Sequence, residues 1–221
     1  MNDIYLIRHT TPAVAKGLCY GQTDLGVTDS FAGEAVAIGR VLPGDIAVVY
    51  SSPLQRCTRL AETLFPGHLL RLRDELMEIH CGEWEMRGWD DLPPEEIDPW
   101  MADFVNVPIP GGESYVDLHR RVTVCWEEVV HEASSSGGES TASAIGPVAV
   151  VTHGGVIRSI LSGISGVALA DSFGRFGLHY SSVVRVSRES GDLVYSVLHN
   201  PAPAEREQHK PTGFNRNSAK N

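Results

Sequence analysis

"IYLIRHTTP" (residues 4–12) decides how the rest of the chain is read. Its first four residues are apolar without a break. An unbroken Val/Ile/Leu-type run is what a strand looks like when both faces are covered, as in a parallel sheet between helices. The run ends on Arg8 and His9, two basic side chains at the point where the strand would leave the sheet. The same arrangement recurs downstream. "IAVVY" (residues 46–50) runs into "SSPLQR", which ends at Arg56, and "VAVV" (residues 148–151) runs into "THGG", which carries His153.

Between and around these strands the apolar spacing turns helical. Residues 27–42 place Ala35, Ile38, Val41 and Leu42 on one side. Residues 53–64 begin with a proline suited to a first helical turn and repeat Leu54, Cys57, Ala61 and Leu64. Residues 114–133 carry Tyr115, Leu118, Val122, Trp126 and Val129 at three- and four-residue steps, with Ser114 placed to cap the start. A further helix is expected over 155–163, and "HLLRL" (68–72) is a less apolar fourth strand. Residues 181–199 hold two β-rich runs around Ser190-Gly191-Asp192, the mark of a hairpin at one edge of the sheet.

Strand–helix alternation closed by a hairpin predicts an α/β fold, a three-layer α/β/α sandwich on a mixed, mostly parallel sheet. One domain is expected over residues 1–199, with a small, polar, flexible loop at 133–146 and a polar, disordered tail at 200–221. Residues 90–112, with five prolines, read as an excursion over the C-terminal end of the sheet, of the kind a lid makes.

Composition narrows the function. The chain has 221 residues, 42% hydrophobic and 21% charged, with a formal net charge of -10. That balance argues against nucleic acid or an anionic membrane as a partner. Four dispersed cysteines (Cys19, Cys57, Cys81, Cys125) form neither a disulfide framework nor a zinc pattern. No signal peptide and no membrane-spanning run is visible, so a cytoplasmic protein with reduced thiols is expected. The sequence leaves the oligomeric state open, a homodimer among the options.

The chemistry lies at the strand ends. In a parallel α/β sheet these ends share one edge, and ligands bind there. Arg8, His9, Arg56 and His153 would then meet in one cleft, a local positive field that calls for a compact anion such as a phosphate monoester. A unit charge pair at about 4 Å and an effective dielectric of 20 is worth on the order of 4 kcal/mol, so a few such contacts can carry phosphoryl transfer.

Four stretches carry a family resemblance: "LIRHTTP", "YSSPLQRCTRLAETL", "LMEIHCGEWE" and "VTHGGVIRSIL". In this order they resemble the signature stretches of the histidine phosphatase superfamily, the phosphoglycerate-mutase-like proteins, across residues 3–199. The resemblance implies a phosphohistidine mechanism needing no cofactor and no metal, with a small-molecule phosphate monoester as partner. His9 would be the nucleophile through Nε2, its Nδ1–H held by a backbone carbonyl. Arg8, Arg56 and His153 would grip the phosphoryl oxygens. Glu78 matches the general acid, and Glu83 and Glu85 are the alternatives close by. "RHTTP" followed by "GLCYGQTDLGVTDSF" points to the α-ribazole phosphatase branch. A broad phosphatase or a phosphoglycerate mutase is the enzymatic alternative, and a non-catalytic phosphate-binding protein the other one. Thr10 stands where the family commonly has glycine, and no asparagine follows between Thr10 and Tyr20. Thr10, Thr11 and Gln22 are candidates for the missing donor, and Tyr20, Gln22 and Glu113 for further substrate contacts.

Overall fold

The computed structural model describes residues 1–134 and 146–202, so most of the expected loop at 133–146 and of the expected tail lies outside the described residues. The chain runs β1 (Ile4–Arg8), α1 (Phe31–Gly39), β2 (Val48–Ser51), α2 (Gln55–Leu64), β3 (Leu70–Leu72), α3 (Pro94–Ala102), α4 (Tyr115–Ser134), β4 (Val148–Thr152), α5 (Gly154–Ser165), α6 (Ser172–Arg175), β5 (Val183–Glu189) and β6 (Asp192–His199). Six strands form one sheet in the order β3-β2-β4-β1-β5-β6. β3, β2, β4 and β1 are mutually parallel, and β5 and β6 add an antiparallel edge. This is the mixed, mostly parallel sheet expected.

The two sides of each strand feed two separate cores. Ile4, Leu6, Val48, Tyr50, Val148 and Val150 pack with α4 and α5, through Leu118, Val122, Ile157 and Leu161. The alternate residues Tyr5, Ile7, Val49, Ala149 and Val151 pack with α1 and α2, through Ile38, Cys57 and Leu60. Burial on both faces is why these strands read as unbroken apolar runs. The helix after β1 and the helix after β4 pack on opposite faces, so the chain leaves these two neighbouring strands in opposite directions at their C-terminal ends, the kind of switch point where α/β folds bind ligands.

Two helix starts and one buried stripe differ from the sequence expectation. α1 starts at Phe31 rather than at residue 27, because Val27 bridges Pro12 and the Thr28 amide donates to Thr11 O. α2 starts at Gln55, whose amide is taken by Asp24 Oδ1 at 2.7 Å. In α4 the buried stripe includes Cys125, with Trp126 only partly covered. The Ser114 cap is present: its hydroxyl and amide pair with the Asp117 carboxylate, and the Asp117 amide returns to Ser114 Oγ. The hairpin turns on Ser190 and Gly191 at φ 51° and 101°, the positive pair that a two-residue turn of matching twist requires.

The excursion at 90–112 is a packed unit. Trp84, Leu92, Ile97, Trp100 and Ile109 form a third core, with the Trp84 and Trp100 rings edge-to-face at 5.6 Å. Among the described residues no helix is long and apolar enough to cross a membrane.

The two-sided core sets an expected mutational contrast along one helix. Leu118→Ala, at a fully buried position of α4, should cost about 3 kcal/mol in urea denaturation. Val124→Ala, on the exposed face of the same helix, should change stability by less than about 0.5 kcal/mol. Equal effects would contradict the packing.

Candidate active site

β1 and β4 are paired in register from Ile4 opposite Val148 to Arg8 opposite Thr152. One residue later His9 donates its amide to Thr152 O at 3.0 Å, and His153 leaves β4 alongside it. The two imidazoles stand 5.0 Å apart, centroid to centroid, edge to face. Both are almost completely buried.

His9 Nδ1 lies 2.7 Å from Thr10 O. A carbonyl can only accept, so Nδ1 carries the proton and Nε2 keeps its lone pair. His153 Nε2 is 2.8 Å from Ser52 Oγ, which also accepts from the Leu54 amide at 3.4 Å. Burial, reinforced by Arg56, His9 and Arg8, holds the His153 ring well below the usual histidine range and therefore neutral. His153 Nδ1 is buried without a hydrogen-bond partner.

The arginines are held by backbone carbonyls. Arg8 Nη1 donates to Leu178 O at 2.7 Å, and its guanidinium sits 4.1 Å over the Tyr180 ring. Arg56, fully buried in the first turn of α2, donates from Nη2 to Gly21 O at 2.6 Å and from Nη1 to Thr23 O at 2.8 Å. Arg56 Nε is buried with no partner, as is Thr10 Oγ1. Arg56 Nε, Thr10 Oγ1 and His153 Nδ1 are thus buried polar atoms with no hydrogen-bond partner among the described residues. Such atoms are costly unless a ligand completes them.

Glu78 reaches this cluster from the segment after β3. Its Oε2 accepts from the Gly155 amide, two residues past His153, at 3.1 Å, and its Oε1 from the Ile79 amide at 3.0 Å. The structure therefore brings Arg8, His9, Arg56, Glu78 and His153 to one edge of the sheet. Glu85, the neighbouring alternative, is spent on the amides of residues 21–23 and Cys81.

The remaining candidates are placed less uniformly. Thr10 is fully buried beside His9, while the Thr11 amide is tied to Glu34 Oε2 at 2.9 Å. Tyr20 shares a short hydroxyl–hydroxyl hydrogen bond with Tyr180, and burial first, then Tyr180, pushes its phenol well above the ordinary range. The Gln22 side-chain amide donates to Glu78 O at 3.1 Å. Glu113 is not arranged as a substrate contact: its carboxylate takes Arg121 at 2.8 and 2.9 Å and the His80 amide at 2.9 Å. Burial works against its charge, but Arg121 and that amide outweigh burial and leave it below the usual carboxylate range. Arg121 also donates to the carbonyls of Glu75, Met77 and Glu78, which fixes the segment carrying Glu78.

Sequence reasoning missed Tyr180, Ser52, Arg121 and Glu34. Ser52 and Arg121 lie inside stretches singled out for their neighbours. Tyr180 precedes the hairpin with no local signal, and Glu34 reads as an ordinary helix-surface acid. Yet Glu34 accepts from the Thr11 amide and the Ser181 hydroxyl, which ties α1 to both walls of the His9 turn. Among the described residues no group of three or more His, Cys, Asp or Glu side chains is placed to hold a metal ion.

Comparison with known proteins agrees with this geometry. The chain matches the profile of the histidine phosphatase superfamily, branch 1, over residues 4–201. It is 32% identical over 171 residues to the metal-independent phosphoserine phosphatase of Arabidopsis thaliana, covering 72% of this chain and 67% of that protein. It is 31% identical over 131 residues to the adenosylcobalamin/α-ribazole phosphatase of Salmonella typhimurium, covering 54% of this chain and 62% of that protein. The fold superposes on a mycobacterial glucosyl-3-phosphoglycerate phosphatase with a TM-score of 0.71 at 24% identity, covering 91% of this chain and 99% of that one. With two histidines and two arginines on the edge of a parallel sheet, and a profile match running from β1 past the hairpin, the chain belongs to the histidine phosphatase superfamily.

Proposed function

We propose that this histidine phosphatase is a metal-independent phosphomonoesterase that works through a phosphoryl group carried on His9. The observation that carries the reading is the His9 tautomer: Nδ1–H is committed to Thr10 O at 2.7 Å, so Nε2 is the nucleophilic nitrogen, 5.0 Å ring to ring from a neutral His153. The Nε2 lone pair attacks phosphorus as the P–O bond to the leaving group breaks. The Glu78 carboxyl gives its proton to the departing oxygen. Water then attacks the phosphoryl group and passes a proton to the Glu78 carboxylate, and the electron pair of the N–P bond returns to Nε2. Arg8, Arg56 and His153 neutralise the phosphoryl oxygens, with Arg56 Nε, His153 Nδ1 and Thr10 Oγ1 as the unsatisfied groups available to them.

For the natural ester we propose α-ribazole 5′-phosphate. The support is the "RHTTP…GLCYGQTD" variant of the first motif and the relative named for that activity. A panel of α-ribazole 5′-phosphate, phosphoserine and glucosyl-3-phosphoglycerate should give the highest kcat/KM with the first. A higher value for either of the others reassigns the substrate. A stable requirement for 2,3-bisphosphoglycerate would instead make the protein a mutase.

The mechanism has two direct tests. His9→Ala should abolish p-nitrophenyl phosphate hydrolysis in EDTA, and acid-free quenching of the wild type should trap a phosphoryl group on the His9 peptide in the mass spectrum. Full activity in the variant sinks the mechanism. Glu78→Gln should slow hydrolysis of alkyl phosphates by about 10²–10⁴-fold. It should barely affect phosphorylation of His9 by p-nitrophenyl phosphate, whose leaving group needs little protonation. An equal loss in both would remove Glu78 from the acid role.

A further inference from the structure

We propose that Glu85 is a positioning residue for the phosphate site: its carboxylate fixes the turn at residues 21–23, and the carbonyls of that turn orient the Arg56 guanidinium. The proposal rests on the reading of Arg56 as a phosphoryl-binding group.

Glu85 Oε1 accepts from the Gln22 amide at 2.8 Å and the Cys81 amide at 3.1 Å. Its Oε2 accepts from the Gly21 amide at 3.0 Å, the Thr23 amide at 3.2 Å and the Thr23 hydroxyl. Three consecutive amides therefore converge on one carboxylate. A neutral side-chain amide cannot replace it, because one of its two polar ends is a donor. Burial raises the Glu85 carboxyl, but the bonds from Thr23, Gly21, Gln22 and Cys81 outweigh burial and keep it below the ordinary range, hence ionised.

The carbonyls of this turn face Arg56. Gly21 O, on the same peptide as the Gln22 amide, receives Nη2, and Thr23 O, on the peptide that follows the Thr23 amide, receives Nη1. With both Nη atoms committed, Nε remains as the buried, unsatisfied donor. Carboxylate and guanidinium are thus linked through peptide dipoles rather than by a direct ion pair, and the turn between them has little freedom. A Cβ on Gly21 would lie 1.8 Å from Ile79 O, so only glycine fits this close approach. Beyond the turn, Asp24 accepts from the Gln55 amide at 2.7 Å and from the Gln55 side chain at 2.9 Å, which locks the segment to α2. Gln22 Nε2 donates to Glu78 O, so the same turn touches the segment carrying the proposed acid.

The test uses the full chain and inorganic phosphate as the probe. Glu85→Gln should weaken phosphate binding by about tenfold in calorimetric titration, the scale of one hydrogen bond to a charged group, and raise KM for p-nitrophenyl phosphate in step. The double variant Glu85→Gln with Arg56→Ala should bind phosphate no worse than Arg56→Ala alone, since Glu85 acts through Arg56. Wild-type phosphate affinity in a folded Glu85→Gln protein overturns the proposal. So does a full, additive loss in the double variant, which would mark Glu85 as merely structural. If Glu85→Gln does not fold, Thr23→Val removes one of the bonds and should show the same non-additive pattern at about threefold; additivity or no effect overturns it equally. Wild-type protein that binds phosphate but turns over no ester defeats the phosphatase reading, and the titrations still judge Glu85. Wild-type protein that binds no phosphate defeats both.

Discussion

The parallel register of β1 with β4 is the constraint on which the site depends. Ile4 faces Val148 and Arg8 faces Thr152, so His9 and His153 leave the sheet as neighbours. The register is enforced by the core. Ile4, Leu6, Val148 and Val150 belong to the face covered by α4 and α5, and Tyr5, Ile7, Ala149 and Val151 to the face covered by α1 and α2. A slip of one residue would exchange the partners all along both strands and separate the two imidazoles by a strand step. The pattern that buries apolar surface therefore also aligns the histidines, and no separate device is needed to bring them together.

Burying cationic groups at that edge requires compensation that does not neutralise them. Carbonyl oxygens supply it: Leu178 O for Arg8, and Gly21 O and Thr23 O for Arg56. A carboxylate in their place would compete with a phosphate dianion for the same donors. Apart from Glu78, the carboxylates around the site stand one layer back. Glu34 receives Thr11 and Ser181, Glu85 receives residues 21–23, and Glu113 receives Arg121 and the His80 amide. All three are kept below the ordinary carboxylate range, because these hydrogen bonds outweigh burial. Their charge orients the backbone, and the front of the site keeps its positive field.

This layering explains which residues could be read from the chain. Arg8, His9, Arg56 and His153 follow strands whose apolar runs are unmistakable, and strand ends of a parallel sheet must converge. The edge hairpin and the Ser114 cap follow from equally local signals, while the strand order does not. Glu34, Ser52, Arg121 and Tyr180 were not legible, because each meets the site through a non-local contact from a position with no distinctive neighbours. Glu113 misled for the converse reason. It directly follows the proline-rich excursion at 90–112, yet its partner Arg121 lies eight residues on, on the face of α4 that meets the Glu78 segment. Val27 misled because pairing with Pro12 overrode a helical pattern that is present in the sequence.

The third core is joined to the site by a different route from the main sheet. Residues 17–19 are stitched to it: Cys19 exchanges backbone hydrogen bonds with Arg87 and Met86, and Trp89 donates its amide to Gly17 O. That strand-like seam leads directly into Tyr20 and Gln22, whose side chains meet Tyr180 and Glu78. The tryptophan unit is thus coupled to the loop beside Glu78, while His9 and His153 answer to the main sheet. Changes in Trp84, Trp89 or Trp100 would reach the site through the 17–23 loop and leave the β1–β4 register intact. A fold arranged in this way can remodel one satellite core and the loop attached to it without disturbing the register that sets His9 beside His153.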